Sequence, residues 1–197
     1  MKTNRNLILT GATALATAVL LGAGCASHEK SASCTMPAAT AEAAPATPTA
    51  APVSAPAKLA LKLVKVDSEE TAGEDGKGAN AVDGDPNTFW HTQWQDASPA
   101  CPHEIIAELA APATIKGFTY LPRQDEGVNG TIKSYEFFVS NDGQDFGQPV
   151  AKGDFAEGKE LKTVSFAPQT CRFIKLKAVS EINGEAWTSA AEIGVVQ

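Results

Sequence analysis

The stretch that decides the fold runs from Ile132 to Ser140, with the sequence IKSYEFFVS, and continues into Asn141-Asp142-Gly143. Its residues are rich in aromatic and β-branched side chains, which favour strands over helices. Asn, Asp and Gly tolerate the positive φ angles of tight turns. The stretch therefore predicts a strand that ends in a tight turn.

Similar runs lie on both sides of this stretch, and Gly, Pro, Asn and Asp residues separate them. They occupy residues 59–63, 104–109, 115–121, 161–166, 172–179 and 190–196. No long helical period interrupts the series. Seven or more short strands with turns at this density predict an all-β protein, an antiparallel β-sandwich.

The first 24 residues have the features of an export signal. Lys2 and Arg5 give a short positive region, residues 7–21 are apolar and uncharged, and small residues lead into Cys25. Such a segment is too short and wrongly flanked for a stable membrane span. Its end resembles the lipobox of bacterial lipoproteins, which predicts a signal peptide at residues 1–24 and lipidation of Cys25. The alternative is an ordinary secretory signal with an incidental cysteine.

Residues 25–58 form a second segment, dominated after the cysteine by Ala, Pro, Thr and Ser. It lacks the apolar surface needed to offset the entropy of ordering, so a disordered, semi-stiff tether is predicted. By analogy with lipoprotein sorting, Ala26 after the cysteine predicts a cell-envelope protein in the outer membrane of a Gram-negative bacterium. The lipid anchor would be its membrane contact, and residues 59–197 would form one folded domain.

The charge of the predicted domain argues against nucleic acid as a partner. The whole chain has a formal net charge of −7, and the part from Leu59 onward holds twelve basic and twenty-one acidic residues, a net charge of −9. A nucleic-acid binder needs a basic face that neutralises phosphates. Acidic residues instead suit hard cations such as Ca2+.

Three cysteines remain once Cys25 is assigned to the lipid anchor. Export implies an oxidising compartment, in which disulfides persist. Cys101 precedes one predicted strand and Cys171 begins another, so we predict a disulfide between them, with Cys34 left over. Metal binding by Cys101 and His103 is the alternative, although two such ligands are a weak zinc signal.

Four stretches resemble discoidin domains, also called coagulation factor V/VIII type C domains, in their order and spacing. They are residues 80–90, 103–109, 140–146 and 172–176, with the sequences NAVDGDPNTFW, HEIIAEL, SNDGQDF and RFIKL. The resemblance spans residues 59–197 and implies a jelly-roll-like, galactose-binding-like sandwich. Bacterial members are often family 32 carbohydrate-binding modules, and residues 121–124 with 129–132 are similar to the branch attached to glycosidases.

The first of these stretches contains a candidate calcium site. Asp83, Asp85 and Thr88 bring three oxygen-bearing side chains into one short turn, and Gly84 lets the backbone bend. Calcium takes six to eight oxygens from carboxylates, hydroxyls and carbonyls. The resemblance to discoidin domains implies three further donors, the carbonyls of Asn80 and Ala191 and the carboxylate of Glu192. We expect a structural ion; local capping by the Asp side chains without a metal is the alternative.

A sugar site is implied by the resemblance together with the chemistry of sugars. A sugar presents hydroxyl groups and a flat C–H face, so its sites combine fixed hydrogen-bonding groups with an aromatic platform. In galactose-binding members a His, an Arg and an Asn converge at one end of the sandwich, and an aromatic ring from a late loop stacks on the sugar. The matching ligand-binding candidates here are His91, Arg123, Asn129 and Trp187.

Three of these candidates also have a purely structural interpretation. Arg123 would form an ion pair with a nearby acidic side chain at the surface. Asn129 would serve the Asn-Gly turn, and His91 would be a partly buried structural histidine.

The tryptophans are assigned from their surroundings in the sequence. Trp187 lies in a polar loop, where an aromatic ring without a binding role is costly, so ligand contact is favoured. Trp90 ends the discoidin-like stretch and is assigned to the core, whereas Trp94 is a further candidate platform.

These observations predict a non-catalytic, carbohydrate-binding lipoprotein for a terminal galactose-like or amino sugar, so a glycan is the expected partner. An enzyme is the second hypothesis, but a glycosidase needs two carboxylates at a defined separation, and no such pair stands out by motif. The sequence also lacks a Gly-x-Ser-x-Gly elbow, a zinc-binding helix motif and a phosphate loop. An adhesion module that binds a protein partner is the main alternative, and acidic loops disfavour lipid binding.

Overall fold

The computed structural model describes residues 59–197. The predicted signal peptide, the lipidation site at Cys25, the tether through residue 58 and Cys34 all lie outside the described residues. Within residues 59–197, no helix is both long and apolar enough to cross a membrane.

Eight strands and one 3₁₀ helix are the regular elements of the described residues. The helix spans Gly78–Val82. The strands are β1 (Leu61–Val66), β2 (Trp90–His91), β3 (His103–Leu121), β4 (Ile132–Ser140), β5 (Ala151–Asp154), β6 (Lys162–Glu181), β7 (Ser189–Ala190) and β8 (Glu192–Val196). The stretch Ile132–Ser140 forms one strand, as the sequence predicts.

The strands are arranged in two antiparallel sheets. One has the order β1-β3-β6-β4-β5, with β8 also pairing to β3, and the other is a ribbon of β2 and β7. All strand pairs are antiparallel. The prediction of an all-β, antiparallel sandwich is therefore confirmed.

Two strands are much longer than the sequence pattern predicts. Runs 104–109 and 115–121 belong to one strand, β3, and runs 161–166 and 172–179 belong to β6. Each strand contains an exposed proline, Pro112 or Pro168, where the pattern indicates a boundary. The β3–β6 register shifts between Glu108 and Ala113, so the ladder is interrupted beside Pro112 and then continues.

The shifts in the β3–β6 register divide each of these two long strands into two parts, which lie in different layers of the sandwich. The six-stranded sheet therefore contributes to both layers. The first part of β3 pairs with β1, and the last part pairs with β8. The ring of Phe118, in the last part of β3, stacks on Phe137 of β4 with centroids 4.1 Å apart. Both rings are fully buried, and they belong to a single large core cluster between the layers.

The structure contradicts the predicted disulfide, because Cys101 and Cys171 are both free. Cys101 lies just before β3, whose first residue, His103, pairs with Ala178 of β6. Ala178 is seven residues along β6 from Cys171, which corresponds to roughly 23 Å at the rise of a strand. A disulfide needs Cα atoms within about 7 Å. The sequence pattern predicts that Cys171 begins a strand, but Cys171 lies inside the long strand β6.

One end of the sandwich collects the residues predicted to bind sugar. His91 in β2 pairs with Ser189 in β7, which places Trp187 close to the same ribbon. Arg123 lies two residues after β3, and Asn129 lies three residues before β4. Strand ends and the β2–β7 ribbon thus hold these side chains on a rigid framework.

Candidate functional site

A cavity of about 230 Å³ opens at this end of the sandwich. Its lining consists of Glu74, His91, Trp94, Arg123, Asn129 and Trp187. The structure therefore brings together all four sugar-binding candidates of the sequence. It adds Trp94, which the sequence offers only as a further platform, and Glu74, which sequence reasoning missed.

His91 is buried, yet it forms part of the cavity wall. Its Nδ1 lies 2.7 Å from the main-chain oxygen of Thr92. Because a carbonyl can only accept a hydrogen bond, Nδ1 carries the proton of the neutral ring and Nε2 is left as an acceptor. Burial lowers the pKa of His91 below its ordinary value of 6.5, which favours this neutral form.

Arg123 combines a structural contact with a place in the cavity. Its Nε and Nη2 donate to the two carboxylate oxygens of Asp125 at 2.7 and 2.6 Å, and its guanidinium lies 4.2 Å from the centroid of the Phe89 ring. The ion pair anticipated as an alternative is therefore present. It occupies one edge of the guanidinium and leaves Nη1 for a ligand.

Asn129 lies in a turn whose geometry depends on the next residue. Gly130 has a φ of 81°, and a Cβ there would come within 2.7 Å of the Ser189 nitrogen. The main-chain oxygen of Asn129 accepts a hydrogen bond from the Ser189 hydroxyl at 2.9 Å. The turn is thus fixed through the backbone, and the Asn129 amide can both donate and accept at the cavity.

Two tryptophan rings contribute aromatic surface to the cavity. Trp94 is 38% exposed, and its Nε1 donates to Glu74 Oε1 at 2.8 Å. Trp187 is half-buried, and its Nε1 donates to the Ser98 hydroxyl at 3.0 Å. Each indole has its polar atom bonded to the protein, so its ring orientation is fixed before any ligand arrives.

Glu74 supplies the carboxylate of the cavity. Its Oε1 accepts the Trp94 bond and lies 3.9 Å from His91 Nδ1. Glu74 lies in the acidic loop that follows Glu69 and Glu70, and no motif in the sequence distinguishes one of these acidic side chains from the others. Its proximity to Trp94 is a consequence of long-range folding.

The predicted calcium turn has a well-defined local geometry. Asp83 Oδ1 accepts from the Asp85 N–H at 2.8 Å, and Asp83 Oδ2 lies 2.8 Å from Thr88 Oγ1. Asp85 Oδ1 accepts from the backbone and the side chain of Asn87. These bonds are the local Asp caps anticipated as the metal-free alternative, and they do not test the metal itself.

The same turn is connected to the last strand. Glu192 Oε1 accepts from the Gly84 N–H at 2.6 Å, so the carboxylate of β8 meets the turn of Asp83. Asn80 directs its side-chain nitrogen to the oxygens of Asp75 and Phe89. Within residues 59–197, no three His, Cys, Asp or Glu side chains cluster closely enough to hold a metal. A cation here would therefore need main-chain and hydroxyl oxygens, which suits calcium.

The alternative of a metal at Cys101 and His103 does not fit the structure. His103 Nδ1 lies 2.7 Å from Asp67 Oδ2, and Nε2 lies 2.8 Å from the oxygen of Ala186. Both ring nitrogens are thus occupied within the protein, and the Cys101 thiol faces the Ala186 oxygen at 3.6 Å.

Comparison with known proteins agrees with this architecture. The sequence profile of the F5/8 type C domain matches residues 65–193. A sialidase of Micromonospora viridifaciens is 39% identical over 68% of this chain, and a galactose oxidase of Gibberella zeae is 38% identical over 68%. The chain spans about a fifth of these two relatives, 21% and 19% of their respective lengths.

Solved structures of similar proteins share the fold along nearly their whole length. One is a family 32 carbohydrate-binding module of Clostridium perfringens in complex with GalNAc-β-1,3-galactose, with 35% identity and a TM-score of 0.63 over 70% of this chain and 95% of that one. Another is the family 32 module of NanJ from the same organism in complex with galactose, with 32% identity and a TM-score of 0.58 over 68% and 92%. With a matching family profile over most of the chain and these structural neighbours, the chain belongs to the F5/8 type C, or discoidin, domain family.

Proposed function

We propose that residues 59–197 form a non-catalytic carbohydrate-binding module for a terminal sugar of the galactose configuration. The observation that carries the proposal is the composition of the 230 Å³ cavity, whose lining combines two indole rings with an imidazole, a guanidinium, an amide and a carboxylate. This combination of fixed polar groups and aromatic surface is what a single sugar ring requires.

The polar groups of the cavity offer complementary partners for sugar hydroxyls. His91 Nε2 and the Glu74 carboxylate accept hydrogen bonds, whereas Arg123 Nη1 donates. The Asn129 amide does both, so a hydroxyl that donates to one wall can accept from another. The C–H face of the ring would pack on Trp187 or Trp94. Affinity should be modest, because one small site desolvates few groups and water competes for the hydroxyls.

The choice of sugar rests on the relatives. Modules with 35% and 32% identity to this chain are solved with GalNAc-β-1,3-galactose and with galactose. Both sugars have an axial 4-hydroxyl, which leaves one face of the ring apolar for stacking on an aromatic side chain. We therefore place galactose and N-acetylgalactosamine first among candidate ligands.

The same cavity favours binding over catalysis. Hydrolysis of a glycoside uses two carboxyl groups on either side of the bond. Among the described residues that line the cavity, Glu74 is the one with a carboxylate. The sialidase and galactose oxidase activities belong to proteins of which this chain spans about a fifth.

We further propose that the turn at Asp83 and Thr88 holds a structural calcium ion with Glu192. The bond from Gly84 to Glu192 supports this, because it already joins the turn to β8. Such an ion would connect the start of the domain to its last strand and would thereby stabilise the fold.

We also propose that Cys25 carries a lipid and that the module is displayed on the cell envelope, in the outer membrane. The sequence of residues 1–25 supports this assignment. Metabolic labelling with a radioactive fatty acid tests it: label should enter the wild-type chain and be absent from Cys25→Ser.

Isothermal titration of the chain with galactose, N-acetylgalactosamine, glucose and mannose tests the central proposal. We expect saturable binding of the two galactose-configured sugars and weaker or no binding of the other two. Equal binding of all four would contradict the specificity. If none binds to the folded protein, the proposal is wrong, and a protein partner becomes the better explanation of the cavity.

A further inference from the structure

Glu70 is a carboxylate buried next to the sugar cavity, with only 1% of its surface exposed. Its Oε1 accepts from the N–H groups of Ala72 and Gly73 at 2.7 and 2.9 Å. Its Oε2 accepts from the N–H groups of Trp94 and Gln95, both at 2.8 Å. Four backbone donors therefore converge on one side chain, which is more than a turn cap ordinarily receives.

The four donors belong to two separate segments of the cavity wall. Ala72 and Gly73 precede Glu74 in one loop, and the other two donors are Trp94 and its neighbour. The main chain of Glu70 extends the connection, because its N–H donates to the His91 oxygen at 2.8 Å. Glu70 thus bridges three parts of the cavity while contributing no atom to its lining.

The bonds of Glu70 also fix the surface on which the Trp94 ring lies. A Cβ on Gly73 would come within 2.6 Å of Trp94 Cη2, so the indole packs directly on that glycine. The indole nitrogen is then held by Glu74. The Glu70 side chain therefore fixes the position of three groups: the backbone of Trp94, the Gly73 beneath its ring, and the loop that carries Glu74, which accepts the indole hydrogen bond.

This arrangement requires an ionised carboxylate. The N–H groups of Trp94, Gln95, Gly73 and Ala72 hold the pKa of Glu70 at about 2. An amide of the same shape would turn its NH2 group toward two N–H donors, whichever way it rotated. One of the two segments would then have to move away.

We propose that Glu70 is a positioning residue of the sugar site, which acts through Trp94 rather than through contact with the ligand. The inference rests on the proposed function, because the cavity must bind a sugar for the position of Trp94 to matter. Its structural part, the control of Trp94 by Glu70, can be measured without any ligand.

The test uses the Glu70→Gln variant with 5-fluorotryptophan incorporated. The chain has three tryptophans, so its 19F NMR spectrum should contain three resonances, assignable through single Trp→Phe variants. We expect Glu70→Gln to shift and broaden the Trp94 resonance and leave the Trp187 resonance in place. Equal shifts of all the resonances, or no shift of Trp94, would overturn the proposal.

Glu181→Gln is the matched control. Glu181 is also buried, and its Oε2 accepts from the N–H groups of Asn183 and Glu185, at 2.6 and 3.1 Å. Its Oε1 instead faces the side-chain amide of Asn183, which can turn its oxygen toward a new NH2 group. The same substitution should therefore leave the Trp94 resonance and sugar binding unchanged.

Galactose titrations then connect the position of Trp94 to binding. Glu70→Gln should weaken binding by about tenfold, the scale of one well-placed aromatic contact. In a Trp94→Ala background, Glu70→Gln should have no further effect on the affinity for galactose. In a Trp187→Ala background, Glu70→Gln should still lower that affinity about tenfold. A tenfold loss in the Trp94→Ala background as well would show that Glu70 does not act through Trp94. If the wild type binds no sugar, the proposed function fails, and the 19F spectra still decide the role of Glu70.

Discussion

The indole of Trp94 rests on Gly73, so closely that a Cβ at position 73 would lie 2.6 Å from Cη2 and 2.7 Å from Cζ2. Contacts under 3 Å between carbon atoms cannot persist, so Gly73→Ala must displace the ring. Since Trp94 lines the sugar cavity, we expect this variant to bind galactose several-fold more weakly. Isothermal titration measures the affinity, and tryptophan fluorescence reports the change at the ring.

Gly153→Ala is a suitable control for this substitution. Gly153 lies in the edge strand β5, and the three atoms nearest to a Cβ there would all belong to Tyr135, none closer than 3.3 Å. Its affinity for galactose should equal that of the wild type. If the Gly73→Ala variant binds galactose as tightly as the Gly153→Ala variant, the Trp94 ring does not belong to the sugar site.

Trp187→Ala should weaken galactose binding by about tenfold while leaving the fold intact. The ring is half-buried at the cavity, its nitrogen is fixed by Ser98, and its centroid lies 6.4 Å from that of His91. Loss of a stacking ring costs about 1 kcal/mol beyond the area it buries. Titration, with a circular dichroism melt to verify folding, measures both effects. Binding equal to that of the wild type would exclude Trp187 from the site.

The fold could be predicted from local sequence because short-range rules determine most of it. The Ile132–Ser140 strand and its turn follow from side-chain type and from Gly143, whose φ is 73°. The length of β3 could not be predicted in the same way. Pro112 indicates the end of a strand, yet the ladder resumes beyond it, because β6 continues alongside and rebuilds the pairing at Ala113.

The site shows the same division between local and long-range information. His91, Arg123, Asn129 and Trp187 could be found because their order matches a known family, and the structure brings them together. Glu74 and Glu70 could not be found, since their roles depend on contacts with Trp94, about twenty residues away in the chain. The Cys101–Cys171 prediction was wrong because strand register, which the sequence does not reveal, separates the two thiols.

Sugar binding should weaken in acid as His91 becomes protonated. Its neutral ring offers Nε2 as an acceptor, and protonation would turn that nitrogen into a donor. Burial lowers the pKa of His91, so the midpoint of this loss of affinity should lie below pH 6.5, the ordinary value of a histidine. Titrations between pH 5.5 and 8 measure the profile, a range in which ordinary carboxylates remain charged. His91→Gln, which keeps an acceptor and does not titrate, should lose this acid dependence; an identical profile would assign it to another group.

Calcium should raise the melting temperature of the wild-type chain, and chelation should lower it again. An ion bound only by the folded state stabilises it by about 2.7 kcal/mol at a free concentration one hundred times its Kd. Glu192→Gln should abolish the response to calcium, because it removes the carboxylate that meets the turn at Gly84. Asp142→Asn is the control, since that residue caps a different turn through Gln144 and Asp145. If calcium does not change the melting temperature of the wild type, the turn is held by the local Asp hydrogen bonds without a metal.

His103 connects the Trp187 loop to the start of the domain. It is fully buried, with Nδ1 2.7 Å from Asp67 Oδ2 and Nε2 2.8 Å from the oxygen of Ala186. Burial by itself would lower the pKa of His103, but the bonds to Asp67 and Ala186 outweigh it and raise the pKa above 6.5. For Asp67, burial opposes the His103 bond, and the net effect lowers its pKa. Both shifts favour an ion pair with the imidazole doubly protonated.

This ion pair gives the stability of the domain a definite pH dependence. A histidine with a raised pKa contributes its full stabilisation below its unfolded value, near 6.5, and loses it as the pH rises through the folded value. The nearby thiol of Cys101 does not interfere there, because burial raises its pKa above its ordinary range. We therefore expect Asp67→Asn to lower the melting temperature strongly at pH 6 and progressively less as the pH is raised toward 9. Thermal melts of the two proteins across that range measure the difference. A gap that stayed constant with pH would mean that Asp67 stabilises the fold only through its bond to the Glu104 N–H, at 2.8 Å, and not through the charge of His103.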